Sequence, residues 1–426
     1  MSERVQLPRE IWVLVAAAVV VSLGYGIVAP VLPQFAKSFG VTTTLATVVV
    51  SAFAFMRLSF APVSGALAAR FGERSMYMVG IVIVAASSAA SALAQNYWQL
   101  LVVRAAGGVG SVMFSVAAMS LIIKLSPVHA RGRASAAYGS GFLLGSILGP
   151  AVGGVLAPLG FRWPFAIYAV LLLIAATIVF VLIPREGQRG AGGSEGEARA
   201  ELAGAAADAA GDVLREPGDG VVGENVRAPE PMTIAEALQL RRFKIVLLTA
   251  FAQGWTNFGV RVAVVPLLAA AIPGAPTWLP GAALMAFAAG NGLALTRSGY
   301  LSDLYGRKYL VVAGLTISGV FTVLMGVWDS AALILVASFM GGFGSGAIQP
   351  SQQGAVADII GERPGSKVVS FFQQSSDLGQ ILGPIAAGVM IDHSGYLLAY
   401  AFSGAILLVV ALVWVMGVRE VGRRKP

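Results

Sequence analysis

Apolar residues run along this chain in long unbroken blocks, separated by short clusters of Arg, Lys, Asp, Glu, Gly and Pro. Twelve blocks are long enough to cross a bilayer, at 11–34, 44–68, 75–94, 98–124, 132–157, 163–183, 243–270, 278–302, 308–327, 331–357, 367–391 and 396–418. At about 1.5 Å per helical residue each matches or approaches the roughly 30 Å hydrocarbon thickness. The pattern predicts an all-α membrane protein with twelve transmembrane helices. The first block is too long for the apolar region of a cleaved signal peptide, so it is retained as the first helix.

The blocks repeat in register. Gly65, Gly72, Gly107, Gly149 and Pro150 recur 234 residues later as Gly299, Gly306, Gly341, Gly383 and Pro384. An offset that survives from the second block of each half to the fifth implies two copies of one six-helix module. Internal duplication of this kind is how secondary transporters are built. The expected division is 1–185 for the first bundle, 186–240 for a linker and 241–426 for the second bundle.

Composition agrees with lipid as the solvent, since 57% of residues are hydrophobic and only 12% charged. The formal net charge of +8 is topological in origin. Most of the 29 Lys and Arg fall at the termini and in alternate loops, whereas Lys37 and Arg162 alone occupy the opposite loops. This positive-inside distribution predicts cytoplasmic termini in a bacterial inner membrane and gives no reason to expect nucleic acid. Without cysteine there are no disulfides or thiolate metal sites, and His129 and His393 are both placed at membrane faces. No cofactor or metal is expected. No nucleophile with a base and no phosphate loop is visible, so an enzyme is not expected; the glycines of Gly107-Gly108-Val109-Gly110 sit in an apolar helix with no preceding strand.

The linker is rich in Gly, Ala, Glu and Asp over about 186–230, a composition that cannot bury enough apolar area to offset ordering. After it, Thr233 and Glu236 have the spacing of a capping box. Ile234, Ala237 and Leu238, followed by Arg241 and Arg242, suggest a short amphipathic helix near 233–242 on the membrane surface.

Several motifs carry a family resemblance. The loop Gly299-Tyr300-Leu301-Ser302-Asp303-Leu304-Tyr305-Gly306-Arg307-Lys308 resembles the signature loop of the major facilitator superfamily. Its first-half copy keeps Gly65, Gly72 and Arg74 but has Ala69 where the acid is expected. Gly145-Ser146-Ile147-Leu148-Gly149-Pro150-Ala151-Val152-Gly153-Gly154 is similar to the fifth-helix signature of the drug:proton antiporter branch. Leu23-Gly24 with Pro30-Val31-Leu32-Pro33, and Arg104-Ala105-Ala106-Gly107-Gly108-Val109-Gly110, resemble two further elements of that branch.

The resemblance implies two six-helix bundles that rock about a central cavity lined by the first, fourth, seventh and tenth helices. It also implies that Asp303 latches the cytoplasmic gate against the start of a helix in the other half. With Ala69 in the first copy, Asp303 is expected to carry that latch alone, near Arg131 and Arg133. Spacing by itself allows Asp303 to pair with Arg307.

The intramembrane charges are few. Asp377 lies about ten residues into the eleventh block, roughly 15 Å deep, on one face with Gln373 and Gln380. Arg57 lies at a similar depth in the second block; its repeat counterpart is Asn291, while that of Asp377 is Leu143. The family fold implies that these two helices face each other. A lone arginine and a lone carboxylate at equal depth are then expected to pair, because either alone in hydrocarbon costs several kcal/mol. Tyr25, Arg104, Asn257, Arg261 and Gln349 complete the expected cavity set. Three arginines against one acid disfavour organic cations and suit neutral or anionic amphipathic substrates.

The expected function is secondary transport by a monomer, as proton-coupled export of small amphipathic compounds. Symport or uniport of an anionic metabolite, lipid flipping, and a membrane sensor or scaffold are the alternatives. A small-molecule substrate, protons and the bilayer are the partners expected.

Overall fold

The computed structural model describes residues 7–126, 130–182, 231–327, 330–361, 363 and 365–417; most of the linker, 186–230, and His129 lie outside them. Six helices form the first half: α1 (Arg9–Val28), α2 (Thr43–Phe71), α3 (Glu73–Ala92), α4 (Tyr97–Leu125), α5 (Arg131–Leu156) and α6 (Trp163–Leu182). A turn at Pro30 is followed by Leu32–Lys37, which prolongs α1. In the second half, α7 is assembled from Arg241–Gln253, a π-helical stretch Gly254–Val260 and Arg261–Ala271. There follow α8 (Leu279–Tyr305), α9 (Arg307–Met325) and α10 (Ala331–Ile360). The helical stretch Ser366–Gly417 is broken at Gly395, where φ is 79°, into α11 (366–394) and α12 (396–417).

Among the described residues eleven helical spans are long and apolar enough to cross a membrane, the last of which contains both α11 and α12. The twelve expected crossings are therefore all present. The protein is a multi-pass membrane protein of all-α class.

The repeat read in sequence has a physical counterpart in packing. In the first half α1 packs on α5, α2 on α4, and α3 on α4 and α6; in the second α7 packs on α11, α8 on α10, and α9 on α10 and α12. The glycines that end α2 and α8 occupy the same place, Gly72 at φ 83° and Gly306 at φ 95°, where any residue with a Cβ is strained. Just beyond each, a basic side chain reaches the end of the last helix of its own half. Arg74 donates to the Phe180 carbonyl at 2.6 Å, and Lys308 donates to the Val415 carbonyl at 2.9 Å.

The antiporter-like motif is the contact surface between α1 and α5. A Cβ at Gly26 would stand 2.7 Å from Pro150 Cδ, and one at Gly153 would stand 2.5 Å from the Ile27 carbonyl oxygen. The proline-flanked element of α1 and the glycine run of α5 are thus two faces of one close helix approach.

A short helix, Ile234–Gln239, precedes α7 and carries a complete capping box between Thr233 and Glu236. Ala237 is buried with Met232, Phe243 and Val368, so the helix rests on the starting end of α11. Glu236 also binds Arg363 at 2.9 Å. The Thr233 backbone N–H and this guanidinium hold its carboxyl below the usual carboxylate range.

Candidate functional site

The two halves meet along α2 with α11 and along α5 with α8. We call the end where α1 begins proximal and the opposite end distal. Among the described residues, the contacts across the halves run from the distal end to about mid-depth. Asp392, at the distal end of α11, accepts from the Thr43 and Thr44 backbone N–H groups, both at 2.8 Å, and from the Thr44 hydroxyl at 2.7 Å. These are the first turns of α2, so an acid of one half caps the positive end of a helix in the other. Deeper in, the Ser51 hydroxyl donates to the Ile381 carbonyl at 2.7 Å.

Two close backbone approaches complete the seal, and they are related by the repeat. A Cβ at Gly281 on α8 would stand 2.6 Å from Gly154 Cα on α5, and one at Gly388 on α11 would stand 2.7 Å from Thr44 Cα on α2. Adjacent glycines of the α5 motif therefore serve different interfaces, Gly153 within the half and Gly154 between halves. At the proximal end, Gly65, Gly139 and Gly299 have open space where a side chain would begin.

Asp377 and Arg57 stand just proximal to the Ser51–Ile381 contact, about 6 Å and 9 Å along their helices from it. Asp377 is half-buried and Arg57 exposed. The Arg57 guanidinium is within electrostatic reach of the carboxyl. Among the described residues no hydrogen bond or ion pair joins them, so the expected bridge is unmade in this state. Gln373 and Gln349 are exposed, and Tyr25, Asn291 and Gln380 are half-buried. Tyr25 rests near Phe53, with ring centroids 6.2 Å apart.

Three residues expected on the cavity wall are buried instead. Arg104 is 1% exposed, Asn257 1% and Arg261 3%. Arg104 lies 4.8 Å over the Phe53 ring of α2, and Arg261 lies 4.4 Å over the Phe287 ring of α8. Phe53 and Phe287 are repeat counterparts, yet the cations come from α4 in one half and α7 in the other. Each half thus brings a guanidinium to the same phenylalanine by a different route. Burial over a ring replaces water by a quadrupole, which favours a cation.

In the gating loop, Arg307 binds Asp358 at the proximal end of α10. The Asp303 and Arg131 side chains lie outside the described residues, and Arg133 is exposed. His393, expected at a membrane face, places its Nδ1 2.9 Å from the Val389 carbonyl at the distal end. Sequence reasoning passed over Asp392 as a loop acid. Its signal was available, since few charges lie in the distal loops.

Two pseudo-symmetric six-helix bundles that touch along α2 with α11 and α5 with α8 have the architecture of a membrane transporter. The sequence profile of the Major Facilitator Superfamily matches residues 14–280 and 246–426, and the chain belongs to that family. The chain is 32% identical over 179 residues to the quinolone resistance protein NorA of Staphylococcus aureus, covering 41% of this chain and 45% of that protein. It is 28% identical over 184 residues to multidrug resistance protein 2 of Bacillus subtilis, covering 43% of this chain and 46% of that protein. The chain thus aligns with about half the length of the curated relatives it matches.

Among solved structures it is similar to a bacterial homolog of the human lysosomal transporter Spinster in an inward-facing, unoccupied conformation. There the TM-score is 0.70 at 15% identity, covering 97% of this chain and 96% of that one. A D-xylose-proton symporter gives a TM-score of 0.72 at 16% identity, covering 96% and 98%. At these identities the likeness shows the shared fold.

Proposed function

We propose that this transporter is a proton-coupled exporter of small amphipathic, neutral or anionic compounds. The observation that carries the reading is the placement of Asp377 just proximal to the Ser51–Ile381 contact between the halves, half-buried and within electrostatic reach of Arg57. A carboxyl at that point changes its surroundings whenever the halves rock. Opening hydrates it; closing brings the arginine onto it and removes water. Both changes act on proton affinity, because burial opposes the charged form and a near cation favours it. Resemblance to the quinolone and multidrug resistance proteins supports export of amphipathic compounds.

In this reading the proximal end is cytoplasmic, as the positive-inside distribution of Lys and Arg requires, and the described state faces inward. Substrate enters between the proximal ends of α2, α5, α8 and α11. Tyr25, Asn291, Gln349, Gln373 and Gln380 offer it hydrogen bonds along an otherwise apolar wall. A proton taken by Asp377 from the far side releases Arg57 and permits return.

The deciding experiment uses purified protein in liposomes, with substrate counterflow measured at equal pH and uphill transport measured under a pH gradient. Asp377→Asn is expected to keep counterflow and to lose uphill transport. Uphill transport by Asp377→Asn at the wild-type level would falsify the assignment of the proton to this carboxyl.

A further inference from the structure

Arg261 is 3% exposed, and among the described residues no carboxylate forms an ion pair with it. Its Nη2 donates to the Thr322 hydroxyl at 3.3 Å, and a Cβ at Gly341 would stand 2.6 Å from that same nitrogen. Its Nε and Nη1 are buried and have no hydrogen-bond partner. Guanidinium does not give up its proton in a protein, so neutralisation is not an escape. An ion sealed in this way without a counter-charge costs several kcal/mol.

The groups around it are donors in search of an acceptor. The Tyr400 hydroxyl on α12 is 1% exposed, within electrostatic reach of the guanidinium, and unpartnered. The Ser338 hydroxyl on α10 is fully buried and unpartnered, one turn before Gly341 on the same helix face. Asn257, one turn before Arg261, uses its amide nitrogen on the Ser345 hydroxyl at 3.1 Å and leaves Oδ1 free, so it adds no donor.

Two guanidinium N–H groups and two hydroxyls, held on α7, α10 and α12, answer the chemistry of a small anion. The enclosure decides its size. Phe287 covers one side of the guanidinium, and Gly341 and Thr322 lie against its tip. Packing this close favours a monatomic anion over a carboxylate or phosphate, and one negative charge balances the single arginine.

We propose that the second half binds one chloride ion between Arg261, Tyr400 and Ser338, as a fixed counter-ion of that bundle. The site includes neither Asp377 nor Arg57 and is independent of proton coupling. Its ligand stabilises the folded half by mass action, as any ligand specific to the native state does.

The test uses the full-length protein in detergent, exchanged into sodium chloride, sodium gluconate or sodium sulfate at equal ionic strength. Equilibrium binding of radiolabelled chloride is measured alongside the thermal midpoint. The expected result is saturable binding of one chloride per chain, with a midpoint that rises with chloride and stays level in gluconate and sulfate. Arg261→Gln is expected to abolish both effects. If that variant does not fold, Tyr400→Phe and Ser338→Ala each remove one hydroxyl, and each is expected to weaken chloride binding about tenfold. Absence of bound chloride in the wild type, or unchanged affinity in the Tyr400 and Ser338 variants, overturns the proposal. Loss of chloride binding with intact uphill transport leaves the export reading standing, and the reverse result separates them in the other direction.

Discussion

Asp392→Ala removes three hydrogen bonds that tie the distal end of α11 to the first turn of α2. Bonds to a charged acceptor contribute about 1.5–3 kcal/mol each when buried, and an acid at a helix start about 0.3–1 kcal/mol. Asp392 is exposed and Thr44 half-buried, so solvent screening reduces the total well below the buried sum. A net contribution of about 1–2 kcal/mol to the distally closed state is the resulting estimate, or roughly 5–30-fold in the ratio of closed to open. The repeat offers no compensation, because the first-half counterpart of Asp392 is Pro158. Since the chain has no cysteine, spin labels can be placed at Gly139→Cys on α5 and Gly299→Cys on α8 without further engineering. Pulsed electron-electron distances between them report proximal opening. The alanine variant is expected to move population toward shorter proximal distances, with Thr44→Ala giving a smaller shift in the same direction. A distance distribution identical to wild type, or one shifted to wider proximal separations, refutes the latch.

Gly281→Leu places a branched side chain against Gly154 and Pro150, and is expected to hold the distal ends apart and slow counterflow at least tenfold while protein yield is retained. Distal labels that still come together in this variant contradict that steric argument. Gly383→Val sits against Trp255 inside the second half, so it is expected to lower the thermal midpoint by several degrees, which melting in detergent measures. The pH response of the short helix before α7 follows from Glu236, whose folded carboxyl is held below its ordinary value of about 4.3. Docking through the Thr233 and Arg363 contacts is then fully present above that value and lost as pH falls through the folded value. Hydrogen exchange of residues 233–240 is expected to accelerate only below about pH 4, and acceleration already near pH 6 counts against the linkage.

Much of the architecture was legible in the chain because lipid imposes a simple rule: each crossing must be a continuous apolar helix of near-fixed length. The break at Gly395, the capping box at Thr233 and Glu236, and the turns at Gly72 and Gly306 are local features whose cause is local. The site was less legible. Arg104, Asn257 and Arg261 read as cavity residues because their helices were expected to line it. Which face of a helix turns to the cavity depends on neighbours hundreds of residues away.

Order, number and duplication of the helices were determined by the sequence alone, since hydropathy and the 234-residue register are written in consecutive residues. The similar depth of Asp377 and Arg57 also follows from counting along two helices. Tertiary structure alone decided that their bridge is unmade, that Asp392 caps α2, and that Gly154 and Gly281 touch. Those facts depend on how two rigid bundles are tilted, and the tilt is set by a few kcal/mol of contact at their ends rather than by any pattern within a segment.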